Sequence, residues 1–173
     1  ILPEVVECAG LLGQTTTEIG YSLPILSAIG DQQSAAIGQA CTEPGEIKAT
    51  FGTGCFVILN TGEKRLHSNN RLLSTIGLKL DGKTSFALEG SIFNAGTVVQ
   101  WLRDDLKVLR NAKDSANIAN SMTSNHGVYI VPAFTGLGAP WWDPDARGAI
   151  YGITRDTSRE HFIRAALESV AYQ

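Results

Sequence analysis

Hydrophobic and polar positions along the chain predict a short first part that ends in a helix. An apolar stretch over residues 24–29 predicts a strand, and the small residues over 32–40 predict a helix directly after it. Residues 1–23 show neither pattern and are predicted to form a loop. The Glu-Pro-Gly sequence at 43–45 is typical of a break between elements. These positions predict a domain boundary that separates residues 1–43 from residues 44–173.

After this break the pattern becomes that of β-hairpins. Alternating positions over 46–51 and 55–60 surround a Gly-Thr-Gly turn, and a Thr-Gly pair at 61–62 ends the second strand. A further pair of strands, over 72–80 and 84–88, surrounds Asp-Gly, which favours the tightest hairpin turns. Two consecutive hairpins are therefore predicted.

Helical periodicity dominates the remainder. A helix is predicted over 95–109, with apolar residues on one face at three- and four-residue spacing, and a short helix over 115–122. Residues 128–134 predict a strand that Pro132 interrupts, as at an edge or a strand end. The pair Thr157 and Glu160 fits a capping box for a final helix, whose expected buried side is Phe162, Ile163, Ala166, Leu167 and Val170. Hairpins followed by helices indicate an α/β domain with helices packed on a mixed sheet.

Composition narrows the classes of partner. Of the 173 residues, 18% are charged and 43% hydrophobic, which is typical of globular proteins. The net charge of −3 argues against a nucleic acid or an anionic membrane as partner. No apolar run approaches the roughly 20 residues of a membrane span. Cys8, Cys41 and Cys55 have neither disulfide nor zinc spacing, so no metal site is predicted and a reducing cytoplasm is expected.

Both ends of the sequence suggest a piece of a longer protein. The chain starts at Ile1 rather than methionine, and its last helix reaches Gln173 without a stop signal. We therefore expect an internal fragment.

Two short segments carry candidate chemistry. Asp31 follows a strand and opens a helix, which is where open sheets place functional groups. The turn Gly52, Thr53 and Gly54 offers backbone N–H groups and one hydroxyl to an anion. Each has a structural alternative, since an Asp at a helix start is often a cap and paired glycines often connect hairpins.

Other reactive residue types favour structural roles. Cys55 has no histidine or basic partner nearby in sequence and is predicted to be a small buried residue. His67, His126 and His161 share no ligand spacing and are predicted at the surface. The Trp141–Trp142 pair is interpreted as a packed loop anchor, with a ligand-stacking platform as the alternative.

Several ordered motifs resemble those of glycerol kinases, which belong to the FGGY family of sugar and polyol kinases. They are Gly-Asp-Gln-Gln at 30–33, Phe-Gly-Thr-Gly-Cys-Phe at 51–56, Asn-Thr-Gly-Glu-Lys at 60–64, Ala-Leu-Glu-Gly at 87–90, Trp-Leu-Arg-Asp at 101–104 and the segment 134–150. The resemblance implies an actin-like (ribonuclease H-like) ATPase fold. Residues 1–43 would then end the first family domain, and 44–173 would begin the second, nucleotide-phosphate domain.

The resemblance also implies roles for individual residues. Asp31 matches the catalytic base and contacts glycerol, Gln32 matches a further polyol contact, and Phe56 matches the aromatic residue that packs on the polyol carbons. The matching nucleotide-binding residues are Gly52, Thr53, Gly54, Gly96 and Gln100. The implied reaction is transfer of phosphate from ATP, with Mg²⁺, to glycerol in a homo-oligomeric enzyme. The isolated chain is expected to be inactive.

Two alternatives remain open within this resemblance. A related kinase for a pentulose or another polyol would share the fold, although such relatives commonly carry Gly-Asp-Asn and Gly-Thr-Ser at the two motifs. A nucleotide-binding module without turnover is the other alternative. Some bacterial glycerol kinases are inhibited by a sugar bisphosphate at a glycine-rich basic loop, but residues 15–22 here contain one glycine, one acidic residue and no cation. We expect no such inhibition.

Overall fold

The computed structural model describes residues 4–16, 18 and 20–173. The chain separates into two compact units, the first made of Ile1–Lys48 and Val57–Glu89 and the second of Ala49–Phe56 and Gly90–Gln173. Thr17 and Ile19, within the loop predicted to be insensitive to a sugar bisphosphate, lie outside the described residues. Each unit is described separately.

The first unit begins with a strand pair. β1 (Ala9–Gln14) pairs antiparallel with β2 (Pro24–Ser27), and α1 (Asp31–Gly38) follows directly. The strand and helix predicted from the sequence are thus confirmed, but the prediction of a loop over 1–23 is wrong for β1. Two glycines in β1 weaken its strand pattern, so pairing with β2 rather than local preference forms this strand.

The second predicted hairpin is present in the first unit. β5 (Leu73–Leu80) and β6 (Lys83–Ile92) pair antiparallel around Asp81 and Gly82, which both have positive φ, at 50° and 74°. This is the backbone geometry that Asp-Gly favours. The Glu7 carboxylate accepts the N–H groups of both turn residues, at 3.0 and 2.7 Å.

β3 (Ile47–Phe51) and β4 (Cys55–Gly62) form the first predicted hairpin, and the four strands lie in the order β3-β4-β6-β5. A small buried cluster of the first unit contains Ala36, Cys41, Ile58 and Ala87. Helix α1 contributes only Ala36 to it, in agreement with the small residues that predicted this helix.

The second unit contains the larger core. It is built from α2 (Gly96–Asp104), α3 (Ser115–Asn120), α4 (Arg159–Tyr172) and the antiparallel pair β7 (Tyr129–Val131) and β8 (Ala149–Tyr151). The buried residues are Val98, Leu102, Leu109, Val128, Ile130, Ile163, Ala165 and Ala166. β7 ends before Pro132 as predicted, whereas the three-residue β8 was not predicted. No helix in the described part of the chain has the length and apolar character needed to cross a membrane.

Helix α2 is shorter than its periodicity predicts. The pattern continued to residue 109, but the helix ends at Asp104 and Lys107 has a φ of 57°. The N–H groups of Val108 and Leu109 both donate to the Leu102 carbonyl, at 3.0 and 3.3 Å. Leu109 therefore reaches the core through a turn. The prediction that Leu109 packs inward is correct, but the prediction that it is helical is wrong.

The start of α4 also differs from the prediction. The capping box is formed by Ser158 and His161, one residue later than the predicted pair of Thr157 and Glu160, because His161 Nδ1 accepts the Ser158 N–H at 2.9 Å. His161 is buried and its ring lies 4.4 Å from that of the exposed His126. The prediction of a surface position for His161 is therefore wrong.

Candidate active site

Asp31 is the first residue of α1 and is exposed. Gly30 occupies the N-cap position and contributes no side chain, so Asp31 is not the cap residue itself. One carboxylate oxygen of Asp31, Oδ1, accepts the N–H of Gln32 at 2.8 Å, which satisfies one unpaired donor of the first turn. An acidic group here is stabilised by the helix dipole, and its other oxygen stays available to a substrate.

The neighbouring Gln32 is held by a buried cation that the sequence analysis did not single out. Lys48, on β3, is only 5% exposed, and its Nζ donates to Gln32 Oε1 at 2.6 Å. Both residues belong to the first unit. A lysine in the alternating pattern of β3 was the one available signal, but strand lysines usually face solvent.

In the second unit, the Gly52–Thr53–Gly54 turn is packed closely by backbone atoms. The Gly52 N–H donates to the Gly54 carbonyl at 2.8 Å. A Cβ atom at Gly54 would lie 2.4 Å from the Ile92 carbonyl oxygen, and one at Gly96 would lie 2.5 Å from that of Gly52. At Gly52 itself, the nearest atom to an added Cβ would be 3.9 Å away. Glycine is therefore required by packing at 54 and 96 but not at 52.

The carbonyl groups of this turn accept hydrogen bonds from the start of α2. Ala95 and Thr97 donate their N–H groups to the Thr53 carbonyl at 2.9 and 3.3 Å, and Gly96 donates to the Gly52 carbonyl at 2.9 Å. The Thr97 hydroxyl also donates to the Thr53 carbonyl, at 3.2 Å. The first N–H groups of α2 are thus satisfied by protein, so the start of this helix offers none of them to a ligand.

Thr53 carries two open hydrogen-bond donors in this turn. Its side chain is exposed, and neither its hydroxyl nor its N–H donates to any residue that the structure describes. A backbone N–H and a hydroxyl on the same exposed residue suit an oxygen of a phosphate group. An apolar cavity of about 350 Å³ lies beside the turn and is lined by Phe51, Gly52, Ala95, Gly96, Val99, Leu167 and Val170.

The other predicted residues divide between the two units. Gln100 is exposed on α2, one helical turn after Gly96, and Phe56 is half-buried near the start of β4. Both lie in the second unit with the turn, whereas Asp31 and Gln32 lie in the first. Cys55 is 1% exposed, as predicted for a small buried residue.

Potential metal ligands do not cluster in the described ranges: no group of three or more His, Cys, Asp or Glu side chains is placed to hold an ion. The ring of Trp142 lies 6.3 Å from that of Phe93 in an edge-on arrangement, and Trp141 is exposed. Trp142 therefore packs against Phe93, in agreement with the interpretation of the pair as an anchor, whereas the exposed Trp141 does not support that interpretation.

Known proteins resemble this chain over its whole length. Residues 47–173 match the model of the FGGY family of carbohydrate kinases, C-terminal domain. The chain is 59% identical over 174 aligned residues to the glycerol kinase of Sinorhizobium fredii, which covers all of this chain and 35% of that relative. A crystal structure of Plasmodium falciparum glycerol kinase with ADP superimposes with a TM-score of 0.88 and 43% identity, over 98% of this chain and 34% of that one.

A xylulose kinase from Brucella ovis also superimposes, with a TM-score of 0.82 over 98% of this chain and 36% of that one. At 19% identity this likeness shows the fold alone. The α/β, actin-like ATPase fold expected from the motifs is confirmed. The chain spans 35% of the length of the curated relatives that it matches, and it belongs to the FGGY family of carbohydrate kinases.

Proposed function

We propose that this chain forms part of an enzyme that transfers phosphate from ATP to glycerol, giving sn-glycerol 3-phosphate and ADP. The observation that carries the proposal is the similarity of the whole chain to glycerol kinases. The exposed carboxylate of Asp31 and the open donors of Thr53 support it, because this reaction needs a group that accepts a hydroxyl proton and a group that binds phosphate.

Asp31 is the proposed general base. The attacking glycerol hydroxyl gives its proton to the carboxylate as the oxygen bonds to the γ-phosphorus of ATP, and the bond from that phosphorus to the bridging oxygen of ADP breaks. Oδ1 already accepts the Gln32 N–H, which limits rotation of the carboxylate. The same carboxylate is thereby kept in one orientation for the incoming hydroxyl.

Gln32 and Phe56 are further proposed contacts of glycerol. An amide suits a second hydroxyl of the substrate, and an aromatic face suits the carbon chain. Phe56 is half-buried, so part of its ring remains available for such packing.

Thr53 and the glycines around it form the proposed nucleotide-phosphate turn, with Gly96 and Gln100 as further contacts. Bound with ATP, Mg²⁺ would neutralise charge that develops on the phosphate oxygens.

The proposal includes a setting for the enzyme. Residues 1–43 would end the first domain of the longer protein, and residues 44–173 would begin the second. No disulfide joins Cys8, Cys41 and Cys55, and Cys41 and Cys55 are buried, which is compatible with a reducing cytoplasm. Assembly into a homo-oligomer is proposed from the family resemblance alone.

The test is ATP-dependent phosphorylation by the full-length protein that contains this chain. ADP release is measured with glycerol and, separately, with xylulose and other polyols. A clear preference for glycerol in kcat/KM supports the proposal. A preference for a pentulose would assign the protein to a related kinase, and ATP binding without turnover on any acceptor would assign it to a binding module.

A further inference from the structure

Lys48 is a buried cation, and a gain in the stability of the fold does not explain why a lysine occupies this position. Its side chain is 5% exposed, and its one recorded hydrogen bond within residues 4–16, 18 and 20–173 goes to a neutral amide, Gln32 Oε1, at 2.6 Å. Removing an ammonium group from water is costly, and an apolar residue of similar volume at such a site is often as stable or more stable. A role beyond folding is therefore indicated for Lys48.

The chemistry of the pair fixes the orientation of the Gln32 amide. An ammonium group only donates hydrogen bonds, so it must face the carbonyl end of the amide. A hydrogen bond from a charged donor is also stronger than one between neutral groups, which makes the opposite orientation unfavourable. The NH₂ end of Gln32 is thereby directed away from Lys48, and no described residue accepts a hydrogen bond from it.

Asp31 and Gln32 then offer opposite hydrogen-bonding groups at adjacent positions. The Asp31 carboxylate accepts a hydrogen bond, whereas the Gln32 NH₂ group donates one. A hydroxyl group can both donate and accept, so two neighbouring hydroxyls on one substrate satisfy this pair. The arrangement suits a polyol in which one hydroxyl reacts and the next is bound.

We propose that Lys48 is a positioning residue: it holds the Gln32 amide so that the NH₂ group donates to the oxygen of a substrate hydroxyl next to the one that Asp31 deprotonates. The inference rests on the proposed function and extends it, because it assigns a substrate-binding effect to a residue that does not touch the substrate. The expected signature is a change in the KM for glycerol rather than in kcat or in the KM for ATP.

The experiment uses steady-state kinetics of the full-length protein with six variants. Lys48→Met removes the ammonium but keeps a long apolar side chain, and Lys48→Arg keeps a donor. Gln32→Glu keeps an oxygen for Lys48 but removes the NH₂ group. Gln32→Ala is measured alone and combined with Lys48→Met in a double variant. Lys83→Met is the matched control, because Lys83 is an exposed lysine in the same unit.

We expect Lys48→Met to raise the KM for glycerol by about three- to tenfold, the usual effect of weakening one hydrogen bond to a substrate. Gln32→Glu should raise it at least as much, since its carboxylate has no proton to donate. Lys48→Arg should restore most of the wild-type KM, and Lys83→Met should match the wild type. Adding Lys48→Met to Gln32→Ala should change nothing further, because Lys48 acts through Gln32.

Several results would overturn the inference. A wild-type KM in Lys48→Met would show that the amide is positioned without the lysine. A wild-type KM in Gln32→Glu would show that an oxygen, rather than the NH₂ group, faces the substrate, and this variant decides the question even if Lys48→Met does not fold. An additive double variant would show that Lys48 acts independently. A wild-type protein that is active on no polyol would instead contradict the proposed function, and the inference with it.

Discussion

The start of α1 and the Gly52–Thr53–Gly54 turn are built in different ways. At the start of α1 the chemistry lies in side chains: Asp31 is exposed, and Gln32 is held by a lysine side chain. In the turn it lies largely in the backbone, where glycines allow carbonyl oxygens to approach and these carbonyls close the start of α2. Only Thr53 adds a side-chain donor there.

Because of this difference, we expect substitutions at the start of α1 to change catalysis and substitutions in the turn to change stability as well. A substitution of Asp31 removes an exposed group and leaves the core intact. A side chain at Gly54 would clash with closely packed backbone atoms, so a substitution there changes the fold and the site together. Gly52 is the exception in the turn, because an added methyl group there meets nothing nearer than 3.9 Å.

The largest effect is expected for Asp31→Asn in the full-length protein. This change keeps the size of the side chain but removes the proposed general base, so kcat should fall by about 10²-fold or more, with a smaller change in the KM for glycerol. Thermal unfolding should be nearly unchanged, because the residue is exposed. Turnover within a few-fold of wild type would refute the assignment of Asp31 as the base.

Gly54→Ala and Gly52→Ala compare the two sides of the turn. We expect Gly54→Ala to lower the free energy of unfolding by about 1–3 kcal/mol, because its Cβ would overlap the Ile92 carbonyl. Gly52→Ala should leave unfolding almost unchanged. Denaturant unfolding of both variants checks this order, and equal stability losses would show that the turn yields more easily than its packing indicates.

Thr53→Val removes the open hydroxyl while keeping the β-branched shape. The kcat/KM for ATP should fall by about 10- to 100-fold, since hydrogen bonds to charged groups contribute about 1.5–3 kcal/mol. Thr50→Val is a matched control on β3, where Thr50 is exposed and outside the turn. If both variants use ATP equally well, the Thr53 hydroxyl does not bind the nucleotide.

The smallest expected effect lies at the start of α4, outside both regions. Hydrogen bonds from Arg159 and Ser158 lower the pKa of Glu160 to about 2. A carboxylate with a lowered pKa in the folded state stabilises the fold above its unfolded value near 4.3, and this contribution is lost as pH falls towards 2. Thermal melts between pH 5 and pH 2 should therefore show a slightly weaker acid sensitivity for Glu160→Gln. Identical melting profiles would show that the ion pair contributes nothing, as exposed pairs often do.

Local sequence patterns predicted the elements whose structure depends on neighbouring residues. The β5–β6 hairpin follows from Asp81–Gly82, and α1 follows from its small residues after Gly30. Local patterns gave wrong predictions where contacts with residues distant in sequence decide the structure. β1 forms by pairing with β2 despite its glycines, and α2 stops before Lys107 although Leu109 keeps the helical spacing.

The same limit applies to the candidate site. The motifs alone pointed to Asp31 and to the turn around Thr53, because both carry their chemistry within a few consecutive residues. Lys48 was missed, since its burial and its hydrogen bond to Gln32 across 16 positions are visible only in three dimensions. The closure of α2 by the carbonyls of the turn was missed for the same reason.

The most direct test of the account is ADP release by the full-length wild-type protein with glycerol and with xylulose, alongside Asp31→Asn. The account predicts turnover with glycerol, a much lower kcat/KM with xylulose, and loss of glycerol-dependent turnover in the variant. Equal or better use of xylulose, or an Asp31→Asn variant as active as the wild type, would contradict it.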